Sequence, residues 1–239
     1  MPFSLLLLLF PEPPRHGDHA VSTGSVRSNL AAVWAYLARH AGLYIPLFVF
    51  CSTAATQNFA VSAWLPTALA RTLSVEPQDI GPRLGLMTLL GSTAGIVAGG
   101  WLMGNLVRRG RSVLMVGAGA GLLSALGFAG AFFVPGTTAM WVLLQIGFLF
   151  MGISFTAGAS TLSRVAPPHL MGRLSAVYVL AQSAAGYALG PLLVPTFAAL
   201  PFFRHGDLAM GLATTVMACA LTACVAGGIL QRRIGRAQA

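Results

Sequence analysis

Six long apolar blocks alternate with short polar breaks along this chain. The blocks cover residues 43–66, 84–106, 113–134, 139–162, 174–198 and 208–230. Each is long enough for the roughly 20-residue helix that crosses a bilayer. They are apolar throughout and lack the single stripe of a soluble amphipathic helix. The breaks, "SVEPQDIGPR", "RRGR", "PGTT", "RVAPPHLMGR" and "FFRHGD", hold prolines, glycines and nearly all the charge of this region, so they read as turns. The pattern predicts an all-α, polytopic membrane protein with six transmembrane helices, a bundle over residues 43–231 and a short tail over 232–239.

The first ten residues, "MPFSLLLLLF", are apolar but short. As a helix they reach only about 15 Å, half a hydrocarbon core. They read as the last turns of a preceding transmembrane helix. A signal peptide is the alternative, but it would want a basic start and a small-residue cleavage site. Residues 11–42 form a polar connector. In its second half Val26, Leu30, Val33, Leu37 and Ala41 share one helical face, with Arg27 and Arg39 off it. This segment can lie along the membrane surface or form a solvated linker helix.

Composition supports lipid as the solvent. The chain is 56% hydrophobic and 8% charged, against about 25% charged for a soluble domain. Its net charge is +9, and all 14 basic residues are arginines. They sit at the ends of apolar blocks and not on a soluble basic face, which excludes a nucleic-acid partner. With six spans the loops alternate sides. Arg15, Arg27, Arg39, Arg108, Arg109, Arg111, Arg164, Arg173, Arg232, Arg233 and Arg236 fall on one side, and Arg71, Arg83 and Arg204 on the other. This asymmetry predicts the first side, with both termini, to be cytoplasmic in a plasma (inner) membrane. Cys51, Cys219 and Cys224 all lie inside apolar blocks and form no metal or redox motif.

The second and fifth blocks resemble each other. "RLGLMTLLGSTAGIVAGGWL" from Arg83 aligns with "RLSAVYVLAQSAAGYALGPLL" from Arg173. After a one-residue slip, Gly95 and Gly99 fall on Gly186 and Gly190. The spacing of three spans predicts two inverted three-helix repeats, a transporter hallmark. Chance likeness between glycine-rich helices is the competing explanation. Gly91, Gly95 and Gly99 recur every four residues, as do Gly100 and Gly104, and such faces let helices pack closely or slide. Gly190-Pro191 predicts a bend that frees a backbone carbonyl.

No acid or base lies deep inside any span, so no proton relay is expected within the chain. The buried polar groups are neutral: Gln57, Asn58, Gln145, Gln182, Tyr178 and Tyr187. All but Tyr187 are named as substrate-binding candidates, led by Gln57, Asn58 and Gln182 near mid-bilayer. Each can instead bond across helices, since an amide in hydrocarbon needs a partner. No nucleophile elbow, zinc-protease motif or phosphate loop is present, so neither enzyme activity nor a cofactor is expected.

Taken in order, the motifs resemble the C-terminal half of a major facilitator superfamily transporter of the Spinster-like branch. "EPPR" at residues 12–15 resembles the start of the central loop, and "SAWLPTALART" at 62–72 the end of the seventh helix. "GGWLMGNLVRRGR" at 99–111 resembles the loop motif after the eighth helix. "APPHLMGRLSAVYVL" at 166–180 is similar to the tenth-to-eleventh connection, and "GYALGPLLV" at 186–194 to the eleventh helix. The resemblance implies Gly100, Gly104, Arg108, Arg109 and Arg111 as the cytoplasmic loop motif. The family places an acid and then a base where Gly104 and Asn105 stand, and often a base at Met171; both departures weaken its cytoplasmic charge network. The resemblance also implies a small organic solute moved by alternating access, in a cavity lined by the first, second, fourth and fifth spans. A second six-helix bundle, either an N-terminal half or a homodimer mate, would complete it. A non-transporting membrane subunit and a truncated fragment are the rival readings.

Overall fold

The computed structural model describes residues 26–73, 77–200 and 207–238. The apolar stretch 1–10, the "EPPR" motif and Arg204 lie outside the described residues. Within them every regular element is helical. In chain order these are α1 (Val26–Arg39), α2 (Ala41–Leu73), α3 (Pro77–Met87), a π-helical turn (Thr88–Ser92), α4 (Thr93–Arg108), α5 (Val113–Gly130), α6 (Thr137–Val165), a 3-10 turn (Pro168–Leu170), α7 (Met171–Ala198) and α8 (Leu208–Gln238). Five spans are long and apolar enough to cross a membrane, and a sixth is reached by counting α1 and α2 as one bent pair.

Several helix ends depart from the sequence reading. "PQDIGPR" is helical and not a turn: α3 starts at Pro77 and continues through Pro82. Proline fits a first helical turn because the missing N–H has no intrahelical acceptor there anyway. α2 passes through both Pro46 and Pro66 to Leu73, seven residues beyond the apolar block. At 33 residues it is about 50 Å long, well over a hydrocarbon core. α5 stops at Gly130, short of residue 134; Phe132 and Phe133 turn back by bonding to the carbonyls of Ala129 and Gly130. α8 continues to Gln238, so Arg232 and Arg233 are exposed residues of its last turns.

The chain turns by 100° between α1 and α2, at His40. Val33 and Leu37, on the predicted apolar stripe, are buried in the same core as Tyr44, Leu47 and Leu230. Trp34, Ala35, Ala38 and Arg39 are exposed. α1 therefore crosses one end of the bundle and does not extend α2.

The main helix contacts fall into related pairs, although α7 packs closely on α8 while its counterpart α4 barely touches α5. α2 packs on α7 and α8, while α6 packs on α4 and α5, and α5 meets α8. Exchanging α2 with α6, α4 with α7, and α5 with α8 carries these contacts onto one another. This is the relation expected of two three-helix repeats. The exchange also matches exposure. Only 22% of the most apolar stretch is buried both in the α3–α4 span and in α7, against 56%, 50% and 56% in α5, α6 and α8. One core cluster joins Tyr44, Phe50, Leu114 and Leu174 at the α1 end; another joins Leu65, Phe128, Leu144 and Leu212 at the far end.

Candidate functional site

Two glycine crossings build the site. A Cβ on Gly95 would fall on the Leu149 carbonyl oxygen, and one on Gly99 would lie 2.9 Å from the Ile153 Cα. These contacts seat α4 on the backbone of α6. On the other repeat, a Cβ on Gly190 would come within 3.0 Å of the Ala60 nitrogen, and one on Gly186 would overlap the Phe59 ring. These seat α7 on α2. The glycines aligned in sequence thus stand at equivalent crossings. Gly91 extends the first crossing: a Cβ there would meet Gln145 Nε2 at 2.8 Å. The close approach needs glycine because any side chain would replace backbone contact with overlap.

Between the two crossings lies a cavity of about 240 Å³ walled by α2, α4, α6 and α7. Asn58, Ser92, Gln182, Ser183 and Tyr187 supply its polar atoms. Phe59, Met151 and Phe155 supply apolar and aromatic wall, with the Phe59 and Tyr187 rings 4.0 Å apart. Its height is fixed by Met151, the central residue of the 29 in α6. Tyr187 and Ile96 are exposed on its rim, so it opens away from the bundle core.

Hydrogen bonding separates the candidate amides. Gln57 donates through Nε2 to Ser124 Oγ at 3.0 Å, and Ser124 donates to the Gly147 carbonyl at 2.9 Å. Gln57 and Ser124 are 3% and 0% exposed, so this chain ties α2, α5 and α6 inside the core. Asn58, one residue on and about 100° around the helix, faces the cavity. Its Nδ2 has only a weak contact, 3.7 Å from Met151 Sδ. Among the described residues Gln182 makes no side-chain hydrogen bond. Ser92 Oγ is buried with no partner. An unpaired buried polar atom costs about 1–3 kcal/mol, and a solute or water in the cavity would relieve it.

The remaining sequence candidates lie elsewhere. Tyr178 is buried with Cys51 around Gly158, where a Cβ would touch both side chains. Gln145 packs against Gly91, outside the cavity wall. Gly100 and Gly104 face open space. Pro191 produces no break in α7, which is one helix from Met171 to Ala198. The second proline explains a different contact. Pro195 has no N–H to offer the Pro191 carbonyl, and Trp64 Nε1 donates to it at 2.9 Å. The indole thus caps the orphaned acceptor from α2.

A sequence profile of the Major Facilitator Superfamily matches residues 1–191. The chain belongs to this superfamily. No curated protein matches it significantly. As a major facilitator it is an integral, multi-pass membrane-transport protein, and members of the superfamily are transporters and not enzymes.

The loop motif is a helix cap. The Gly110 N–H bonds the Val107 carbonyl at 3.1 Å and the Arg111 N–H bonds the Leu106 carbonyl at 2.9 Å. Gly110 has φ +64, the left-handed conformation that ends helices this way. Arg108 and Arg109 stand at the negative end of the α4 dipole, which favours them. Arg108 also donates to Asn105 Oδ1.

Ser92, Ser183, Phe59, Met151 and Phe155 were not singled out from the sequence. A usable signal existed for one of them. The repeat offset that pairs Arg83 with Arg173 and Leu90 with Leu180 also pairs Ser92 with Gln182. Both stand on the cavity wall, one from each repeat.

Proposed function

We propose that this chain is the C-terminal six-helix bundle of a Spinster-like major facilitator, and that it moves a small organic solute by alternating access. The observation carrying this reading is the mid-height cavity between the two glycine crossings. There Asn58, Ser92 and Gln182 hold unspent hydrogen-bonding capacity. Transporter sites lie at such a height, between repeats and between bundles. α4 and α7 are the least covered helices and flank the cavity, so a second bundle would form the opposite wall. The mate is an N-terminal half or a second copy. The bundle sits in the plasma (inner) membrane with its arginine-rich end and both termini in the cytoplasm.

The test is uptake into liposomes by the purified chain, alone and co-expressed with an N-terminal bundle, over a panel of sugars, organic acids and amphiphilic lipids. Saturable uptake is expected only with the second bundle or in a dimer. It should weaken in Asn58→Ala and Gln182→Ala. Saturable uptake by a demonstrated monomer would overturn the two-bundle reading. Uptake indifferent to both substitutions would overturn the assignment of the cavity.

A further inference from the structure

A second cavity, of about 140 Å³, lies at the arginine-rich end, where the α4–α5 loop meets the ends of α6 and α8. Arg111 and Arg164 line it, with Ser112 and Gln231 between them. Among the described residues neither arginine pairs with a carboxylate. Of the five acidic residues only Asp79 and Asp207 fall in the described segments, and Asp207 caps the far end, accepting from the Ala209 and Met210 amides. Among the described residues the cavity is therefore cationic, with no carboxylate lining it.

Besides the two guanidinium groups, its free donor is the Gln231 amide, because the Thr161 hydroxyl is spent on the Ala157 carbonyl. Ser112 Oγ donates to Gln231 Oε1 at 2.6 Å and caps the Met115 amide. Gln231 Oε1 is thereby occupied, and its amide hydrogens remain. The volume is about four to five times that of one liquid water, which suits a tetrahedral anion. A third cavity shares Arg111 and runs along the outside of α4, between Trp101, Leu102, Leu106 and Arg109. Trp101 is 71% exposed. A cationic chamber thus borders an apolar groove walled by an exposed tryptophan. That sequence of surfaces complements an amphiphile whose head is a phosphate.

We propose that Arg111 and Arg164 hold the phosphate of one anionic phospholipid, with an acyl chain along Trp101 and Leu106. The site is separate from the solute cavity and does not depend on the transport reading.

Native mass spectrometry of the purified chain in maltoside micelles tests it, with dioleoyl phosphatidylglycerol, dioleoyl phosphatidylcholine and inorganic phosphate as probes. One phosphatidylglycerol per chain should be retained over phosphatidylcholine. Affinity should fall roughly fivefold for each of Arg111→Gln and Arg164→Gln, and Arg83→Gln, at the other end of the fold, should leave it unchanged. Trp101→Ala should weaken phosphatidylglycerol without altering any response to inorganic phosphate. Displacement of the lipid by millimolar inorganic phosphate would support the phosphate chemistry and overturn the lipid as its source. Equal retention of both lipids would overturn the proposal. So would undiminished phosphatidylglycerol binding in an Arg111→Gln/Arg164→Gln protein whose helical circular dichroism is unchanged.

Discussion

Gln57 and Asn58 are neighbours of like chemistry with opposite positions in the fold. Gln57 spends its amide on Ser124, in the core; Asn58 and Gln182 keep theirs for the cavity. Their substitutions should therefore separate. Gln57→Leu should lower thermal stability in detergent by an amount corresponding to about 0.5–2 kcal/mol, read as an earlier unfolding transition. Asn58→Ala and Gln182→Ala should leave that transition in place. Each should instead raise the solute concentration for half-maximal uptake about 2- to 10-fold, the worth of one hydrogen bond. A shared loss of stability across all three would remove the distinction. Helical rise puts all three amides near mid-span, and in the structure they lie near the middle of α2 and α7. The sequence could not say which faced the cavity, because in an all-apolar helix no polar stripe marks the outside. Ser92 escaped notice for a related reason: a lone serine in a membrane helix usually bonds back to its own carbonyls, as Thr161 and Thr215 do here.

At the scale of the helix, the apolar blocks located the five spans, and α2 as the main part of the bent pair that makes a sixth. Their ends were less legible. Pro66 and Pro77 carry the same local signal for a break, yet the first lies inside a helix and the second begins one. The difference depends on what the missing N–H would have bonded, which a residue type alone does not state. The glycine ladder was legible as a packing face, but its partner was not. Gly95→Leu should displace α4 from α6 and reduce the monodisperse yield after detergent extraction, since the added atoms meet the Leu149 carbonyl. Gly104→Leu, with open space at its Cβ position, should extract like the parent. The Trp64 contact makes a further expectation. Trp64→Phe leaves the Pro191 carbonyl uncapped and should cost about 0.5–1.5 kcal/mol, visible as a lower melting temperature.

For the whole molecule, the arginine distribution sets the expected orientation. Cysteines introduced at Ser25 and Gln238 should react with a membrane-impermeant maleimide only after the cells are opened. Labelling of either in intact cells would reverse the topology. The uncovered flanks of α4 and α7 have a bearing on assembly, because amides exposed there to hydrocarbon are unfavourable. The repeat was detectable from a weak internal alignment, and the packing exchange of helices gives that alignment a spatial meaning. The resemblance implied a cavity between the first, second, fourth and fifth spans, and the structure has one between those helices; which side chains line it depends on the rotation of each helix, which no sequence pattern carried.

The backbone-to-backbone seats at Gly95 and Gly190 have a mechanical side. A side chain between two helices can change rotamer and let them slip, whereas a carbonyl pressed on a Cα has no such play. α4 and α6 should travel as one plank, and α2 and α7 as another. Under the proposed alternating access, flexing of the chamber would fall along the seam between the planks, where α2 meets α6 and α4 does not pack on α7. Paired spin labels would read this as a constant α4–α6 separation and a variable α4–α7 one. Each repeat lends a helix to both planks, so the two triplets are stitched crosswise and neither could move as a unit of its own.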